Sequence, residues 1–458
     1  MSEKNLQQNK MGVLPVNRLL ISMALPMMLS MLVQACYNIV DSIFVSRLGE
    51  QALTAVSLAF PMQSVMISVG TGTGVGINAM LSKCLGEGDR KRANMAACNG
   101  VFLHLCAMVL FMVVGLTAVG PFYASQVANE PEIMAYGVDY LRVICLFCQG
   151  MYLQFVFERL LQATGNTRAS MVCQMTGAVV NIILDPLFIF GIGPFPRLEV
   201  MGAAVATVIG QFIGAAVGIA LNQRRNKEIS VTFRGIFRPH WKTIKRIYTV
   251  GVPSVIMASI GSVMTYGMNR ILVTFTPTAT AVFGVYFKLQ SFFFMPVFGM
   301  NNAVVPIMAY NYGAKKRSRM IATIKLTVLY ACCFMLAGIL VMHLFPRQLF
   351  SLFEASEEMI AIGIPALKTI SYSFVFAGFC MSCGTVFQGL GNGVYSMINS
   401  IIRQLLVLLP AAWLLAQTGR LDAVWWSFPI SEIASLIVSV ILLRRIWRDI
   451  ISKVPDDN

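Results

Sequence analysis

Apolar runs of about 20 residues or more follow one another from Val16 almost to the end of the chain, and nothing constrains the fold more than this. A run that long crosses a bilayer as a helix, because only a helix or a closed barrel satisfies its backbone polar groups without water. Of the 458 residues, 57% are hydrophobic and 12% charged, with a mean hydropathy of +0.71. A soluble domain carries roughly 25% charged residues. The polar start, MSEKNLQQNKMGVLPVNR, lacks the short apolar core and small-residue site of a cleavable leader, so the first apolar run is expected to stay in the membrane.

Turn and charge signals divide the apolar sequence into twelve expected spans. They lie near 17–46, 52–83, 93–120, 132–160, 168–190, 201–222, 243–275, 281–311, 318–345, 358–388, 394–416 and 424–447. With an even number of spans, both termini share one side. Lys and Arg number 25 on that side and four, Arg47, Arg197, Arg347 and Arg420, on the other. The positive-inside rule therefore places both termini in the cytoplasm of a multi-pass inner-membrane protein. The net charge of +15 reads as topology and as contact with anionic lipid, not as a nucleic-acid surface.

One offset recurs along the chain. Leu25-Pro26 returns as Val252-Pro253 and Gly86 as Gly313, each 227 residues later. Gln162 to Asn166 returns as Gln388 to Asn392 and Met171 as Met397, each 226 later. Six spans precede the basic stretch at 223–242 and six follow it. The expected all-α fold is thus two parallel six-helix repeats. Residues 1–222 would form the first lobe, 223–242 a cytoplasmic connector and 243–458 the second lobe. Transporters built from parallel repeats place substrate at the repeat interface.

Ionisable groups at membrane depth are costly and mark function. Asp41 and Asp185 fall late in two helices that run the same way, so they reach similar depth in the first lobe. Tyr37 and Asn181 precede them by one turn on the same faces. Burial and mutual repulsion would make such a pair take up a proton, and carboxylate, amide and hydroxyl oxygens also suit Na⁺. The alternative is that each carboxylate only hydrogen-bonds a neighbouring helix. Gln34 and Tyr37, with Tyr286, Lys288 and Phe292 of the second half, are candidate substrate-cavity residues. Asp139 and Arg142, three apart, are expected to neutralise each other. Arg403 and Glu432 enter from opposite faces to similar depth and suit an interhelical pair. Pro26 and Pro253 should kink their helices, and Asp185-Pro186 should break a third.

No catalytic signature appears. HExxH is absent, and His104, His240 and His343 are scattered. Eleven cysteines include the CxxC pairs Cys145/Cys148 and Cys380/Cys383, but they sit mid-span without histidines, as small apolar residues do. Neither enzyme activity nor a cofactor is expected.

Several motifs in order resemble one family over nearly the whole chain. They are VDSIFVSRLGEQALTAVSLAFP at 40–61, LGEGDRKRA at 85–93, LQATGNTRASM at 161–171, NIILDPLFIFG at 181–191, MGAAVAT at 201–207 and YNYGAKK at 310–316. They are similar to the multidrug and toxic compound extrusion (MATE) transporters. The resemblance implies two six-helix lobes around a central cleft, and antiport of small organic, often cationic, compounds against H⁺ or Na⁺. It also implies drug resistance as a phenotype, and for two fused lobes a monomer is the default working unit. In one prokaryotic branch the coupling site holds residues matching Asp41, Asn181, Asp185 and Thr207. These four are the candidate cation-coupling set and the candidate Na⁺ ligands. A second branch uses carboxylates in the seventh and tenth helices, and no internal acid lies there in this sequence. A flippase or exporter of a lipid-linked or dedicated metabolite cargo is the alternative within the same fold.

Overall fold

The computed structural model describes residues 9–127, 130–353 and 355–455, and among them every regular element is helical. Ten helices are continuous and apolar enough to cross a bilayer: α1 (Val16–Ser46), α2 (Glu50–Gly86), α3 (Arg90–Thr117), α6 (Thr167–Phe190), α7 (Glu199–Arg225), α8 (Trp241–Leu272), α9 (Pro277–Gly313), α10 (Arg317–Leu344), α13 (Gly393–Ala416) and a stretch that begins at Leu421 and contains α14 (Ser427–Asp449). The two remaining expected spans are bent pairs, α4 (Pro131–Leu146) with α5 (Gln149–Ala163), and α11 (Glu357–Ser371) with α12 (Phe374–Gly389). Each pair bends by 47°. Counting each pair as one span gives the expected twelve.

The bends correct the reading of 132–160 and 358–388 as uninterrupted spans. Apolar sequence runs through both breaks, and side chains there take carbonyls that the helix leaves. The Gln149 amide donates to the Leu146 carbonyl at 2.8 Å, and the Ser373 hydroxyl to Ile370 at 2.6 Å. Conversely, Asp185-Pro186 does not break α6, which continues to Phe190 and ends on Gly191 in the left-handed region.

Backbone contacts divide the chain into two compact units. One comprises 29–251, the other 1–28 with 252–458. The divisions fall inside α1 and α8, close to Pro26 and Pro253, where the missing amide N–H removes one rung of the helical ladder. In the 29–251 unit the polar stretch after α7 is packed rather than loose. The Ser230 amide donates to Asn94 Oδ1 at 2.7 Å and the His240 amide to Asn99 Oδ1 at 2.9 Å. In the other unit the segment before α1 is held in a similar way. Arg319 donates to the carbonyls of Met11 at 2.9 Å and Leu14 at 2.7 Å, and Lys316 to that of Gly12 at 2.6 Å.

The repeat extends to packing. Gly137 and Gly363 each face a ring, Tyr123 and Phe350 respectively, so closely that a Cβ would overlap it. The turns after α5 and α12 both carry a left-handed glycine, Gly165 at φ 84° and Gly391 at φ 83°. After α2 the left-handed residue is Gly88, and its counterpart after α9 is Lys315 at φ 57°.

Candidate functional site

In the 29–251 unit α1, α2, α4, α5, α6 and α7 line one cavity of about 760 Å³, and four of them do so with a stripe along one face. Each stripe keeps helical spacing. On α1 it is Gln34, Tyr37, Asn38 and Asp41; on α5, Met151, Gln154, Phe155 and Glu158. On α6 it is Gln174, Gly177, Ala178 and Asn181, and on α7, Thr207 and Gln211. Residues three, four and seven apart share a helix face, so an apolar helix can offer polar groups to a cavity while its other faces meet lipid or core.

The four expected coupling residues come together at one end. Asn181 Nδ2 donates to Thr207 Oγ1 at 3.0 Å, and the Tyr37 hydroxyl lies 3.4 Å from the same oxygen. The carboxyls of Asp41 and Asp185 are neighbours within hydrogen-bonding reach. Asp185 is fully buried. Asp41 Oδ1, Asn181 Oδ1 and both Asp185 oxygens are buried with no donor among the described residues. Two adjacent carboxyls cannot both stay charged and unpaired away from water, since desolvation and repulsion act together. The cluster can therefore share a proton or hold a hard cation among its oxygens.

The remaining candidates are placed differently. Gln34 and Tyr37 line the cavity. Tyr286 is buried in the other unit against Phe283, Phe287 and Phe428, with ring centroids 6.1, 6.1 and 5.9 Å away. Lys288, exposed on α9, has its ammonium 5.8 Å from the Phe353 ring centroid, and Phe292 is 58% exposed one turn on. None of these three lines the cavity. Arg403 and Glu432 form the expected pair, at 3.1 Å, within a seven-residue π-helical stretch of α13, Ile402–Leu408, and α14. Asp139 and Arg142 are both exposed and form no ion pair with each other among the described residues; this corrects the expectation that they neutralise one another. Cys145, Cys148, Cys380 and Cys383 are all free and buried.

Sequence reasoning passed over Glu158. The residue is only 6% exposed, lines the cavity, and accepts from Gln154 Nε2 at 2.9 Å. Reading the span as ending near 160 placed it at the membrane surface. The signal that marks it is its spacing from Met151, Gln154 and Phe155 on one face of α5.

A duplicated helical frame with a polar-striped cavity in one unit defines a multi-pass membrane protein of the transporter kind. The chain belongs to the MatE family, whose pattern matches residues 26–187 and again 253–414, both ends displaced by the same 227 residues. Members of that family are transporters and not enzymes. Among its relatives is the FAD transporter of Shewanella oneidensis, 25% identical over 450 residues, 96% of this chain and 97% of that protein. Another is the multidrug export protein MepA of Staphylococcus haemolyticus, 27% identical over 424 residues, 92% and 91% of the two chains. A solved outward-facing multidrug resistance MATE transporter superposes with a TM-score of 0.90 at 26% identity, covering 99% of each chain.

Proposed function

We propose that the protein exports small organic compounds, many of them cationic, by exchange against an inward gradient of H⁺ or Na⁺. The observation that carries this reading is the set of buried, donorless oxygens on Asp41, Asp185 and Asn181 beside a cavity large enough for a drug-sized molecule. The multidrug export named for MepA and the multidrug resistance named for the outward-facing transporter support the same substrate class. The working unit would be a monomer in the cytoplasmic membrane, both termini inside.

The exchange follows from differential affinity. A cation on the Asp41–Asp185 pair neutralises the charge that attracts an organic cation and favours a different arrangement of the helices around it, so drug and cation displace one another. Asn181 and Thr207, hydrogen-bonded to each other, would add an amide and a hydroxyl oxygen to the set. Gln34 and Tyr37 offer hydrogen bonds to the incoming molecule.

A second reading is favoured by the Shewanella relative, named for a large anionic aromatic metabolite, and by exposed Lys288, Lys325 and Lys368. Proteoliposomes loaded with a fluorescent cationic dye separate the two. Efflux is expected when a Na⁺ or a pH gradient is imposed, and excess FAD should not suppress it. No dye movement under either gradient, with FAD transported instead, would replace drug export by metabolite export.

A further inference from the structure

The geometry points to Glu158 as a second, inner station for the coupling cation, joined to the Asp41–Asp185 pair by a polar path inside the 29–251 unit. The inference rests on the cation-coupled reading above and adds the route by which the cation leaves.

The helices fix the two ends of this path. Asp41 lies five residues before the end of α1 and Asp185 five before the end of α6. Glu158 lies five residues before the end of α5. At about 1.5 Å per residue, each carboxyl is on the order of 7–8 Å from its helix end. The ends of α1 and α6 belong to one side of the unit and that of α5 to the other, because consecutive helices joined by tight turns alternate in direction. A direct contact places the end of α5 with the end of α2, where Ser82 Oγ donates to the Ala163 carbonyl at 2.8 Å. That side carries Lys83, Arg90, Lys91, Arg92 and Arg168, the cytoplasmic signature. Asp41 thus lines the outer part of the cavity, with Asp185 buried beside it, and Glu158 lines the inner part.

Polar groups continue between them. From Thr207, Gln211 is one turn farther inward along α7, and from Asn181, Gln174 is two turns inward along α6. Gln154 then donates to Glu158 at 2.9 Å. The Gln154 amide fits only because α7 has no side chain beside it. A Cβ at Gly214 would lie 2.8 Å from Gln154 Cδ. Glu158 is 6% exposed and faces the cavity, so a proton or a bare monovalent cation reaches it from the outer pair without leaving the cavity. Buried acids inside membrane helices mark such relays. Cation bound at the outer pair passes along the amides and hydroxyls, is held by Glu158, and is then released to the cytoplasm.

Glu158→Gln keeps the shape and removes the charge. In proteoliposomes cation influx and gradient-driven dye efflux by this variant are expected to fall about tenfold or more, by a larger factor than any change in its dye affinity. Glu158→Asp, with the carboxylate withdrawn by one methylene, should fall between the two. Wild-type cation influx in Glu158→Gln would overturn the assignment. So would a tenfold loss of dye affinity with coupling intact, which would make Glu158 a substrate anchor. If Glu158→Gln does not accumulate as folded protein, Glu158→Asp decides alone. Severalfold slower cation influx at unchanged dye affinity supports the station, and wild-type influx refutes it. Asp41→Asn separates the two levels of the argument. Wild-type coupling in Asp41→Asn sinks the cation-exchange reading itself, whereas a dead Asp41→Asn beside a normal Glu158→Gln sinks only the inner station.

Discussion

Replacing Asp41 by Asn is expected to abolish cation-driven export, lowering the efflux rate by about two orders of magnitude while leaving the fold intact. The amide cannot take up a proton, and it presents a dipole where Na⁺ would meet a charge. Asp185, with no donor to either oxygen among the described residues, is then the one carboxylate of the pair left to hold the cation. A loss of that size corresponds to about 2.7 kcal/mol, the range in which single charge-assisted interactions lie. Asp185→Asn should behave likewise, and the double variant should be little worse than either single one, because the pair acts as one site. Dye efflux from proteoliposomes under an imposed gradient measures this. Full efflux by Asp41→Asn, with wild-type elution as a folded protein, would remove the pair from the mechanism.

The second large effect concerns stability in the other unit. Glu432→Ala leaves Arg403 without its partner in the membrane interior and is expected to cost about 3 kcal/mol. The pair meets at 3.1 Å, and among the described residues Arg403 Nε and Glu432 Oε2 have no partner, so these offer no substitute acid or base at these atoms. An apolar pair avoids the uncompensated charge. Arg403→Leu combined with Glu432→Leu should therefore unfold later on heating than Glu432→Ala alone. Thermal unfolding in detergent reads both. Glu432→Ala as stable as wild type would show that the ion pair contributes nothing.

The sequence made some of this architecture visible and hid the rest for physical reasons. Asp41 and Asp185 stood out because a carboxylate deep in an apolar run is too costly to be incidental, and the structure sets them side by side. Arg403 and Glu432 stood out in the same way and do pair. Glu158 did not, since depth was judged from where the apolar run ended and α5 carries the acid one turn inside that end. The bends at Phe147 and Tyr372 were equally hidden. A chain breaks there through hydrogen bonds from Gln149 and Ser373, and hydropathy is blind to hydrogen bonding. The repeat was legible from offset alone. The unit boundaries were not, because composition points to the polar stretch at 223–242, while that stretch is bonded to Asn94 and Asn99 and the divisions fall beside Pro26 and Pro253. Tyr286, an aromatic residue chosen for a cavity, is instead packed among rings, which the pattern FGVYF cannot distinguish.

The central claim is that organic cargo and coupling cation displace one another from the protein, and purified protein in detergent tests it without any gradient. Dye is titrated into the protein while released protons are followed with a pH indicator and displaced ²²Na⁺ is counted. Release of cation in proportion to dye bound, lost in Asp41→Asn, is the predicted result. Dye that binds tightly and releases neither H⁺ nor Na⁺ would contradict it.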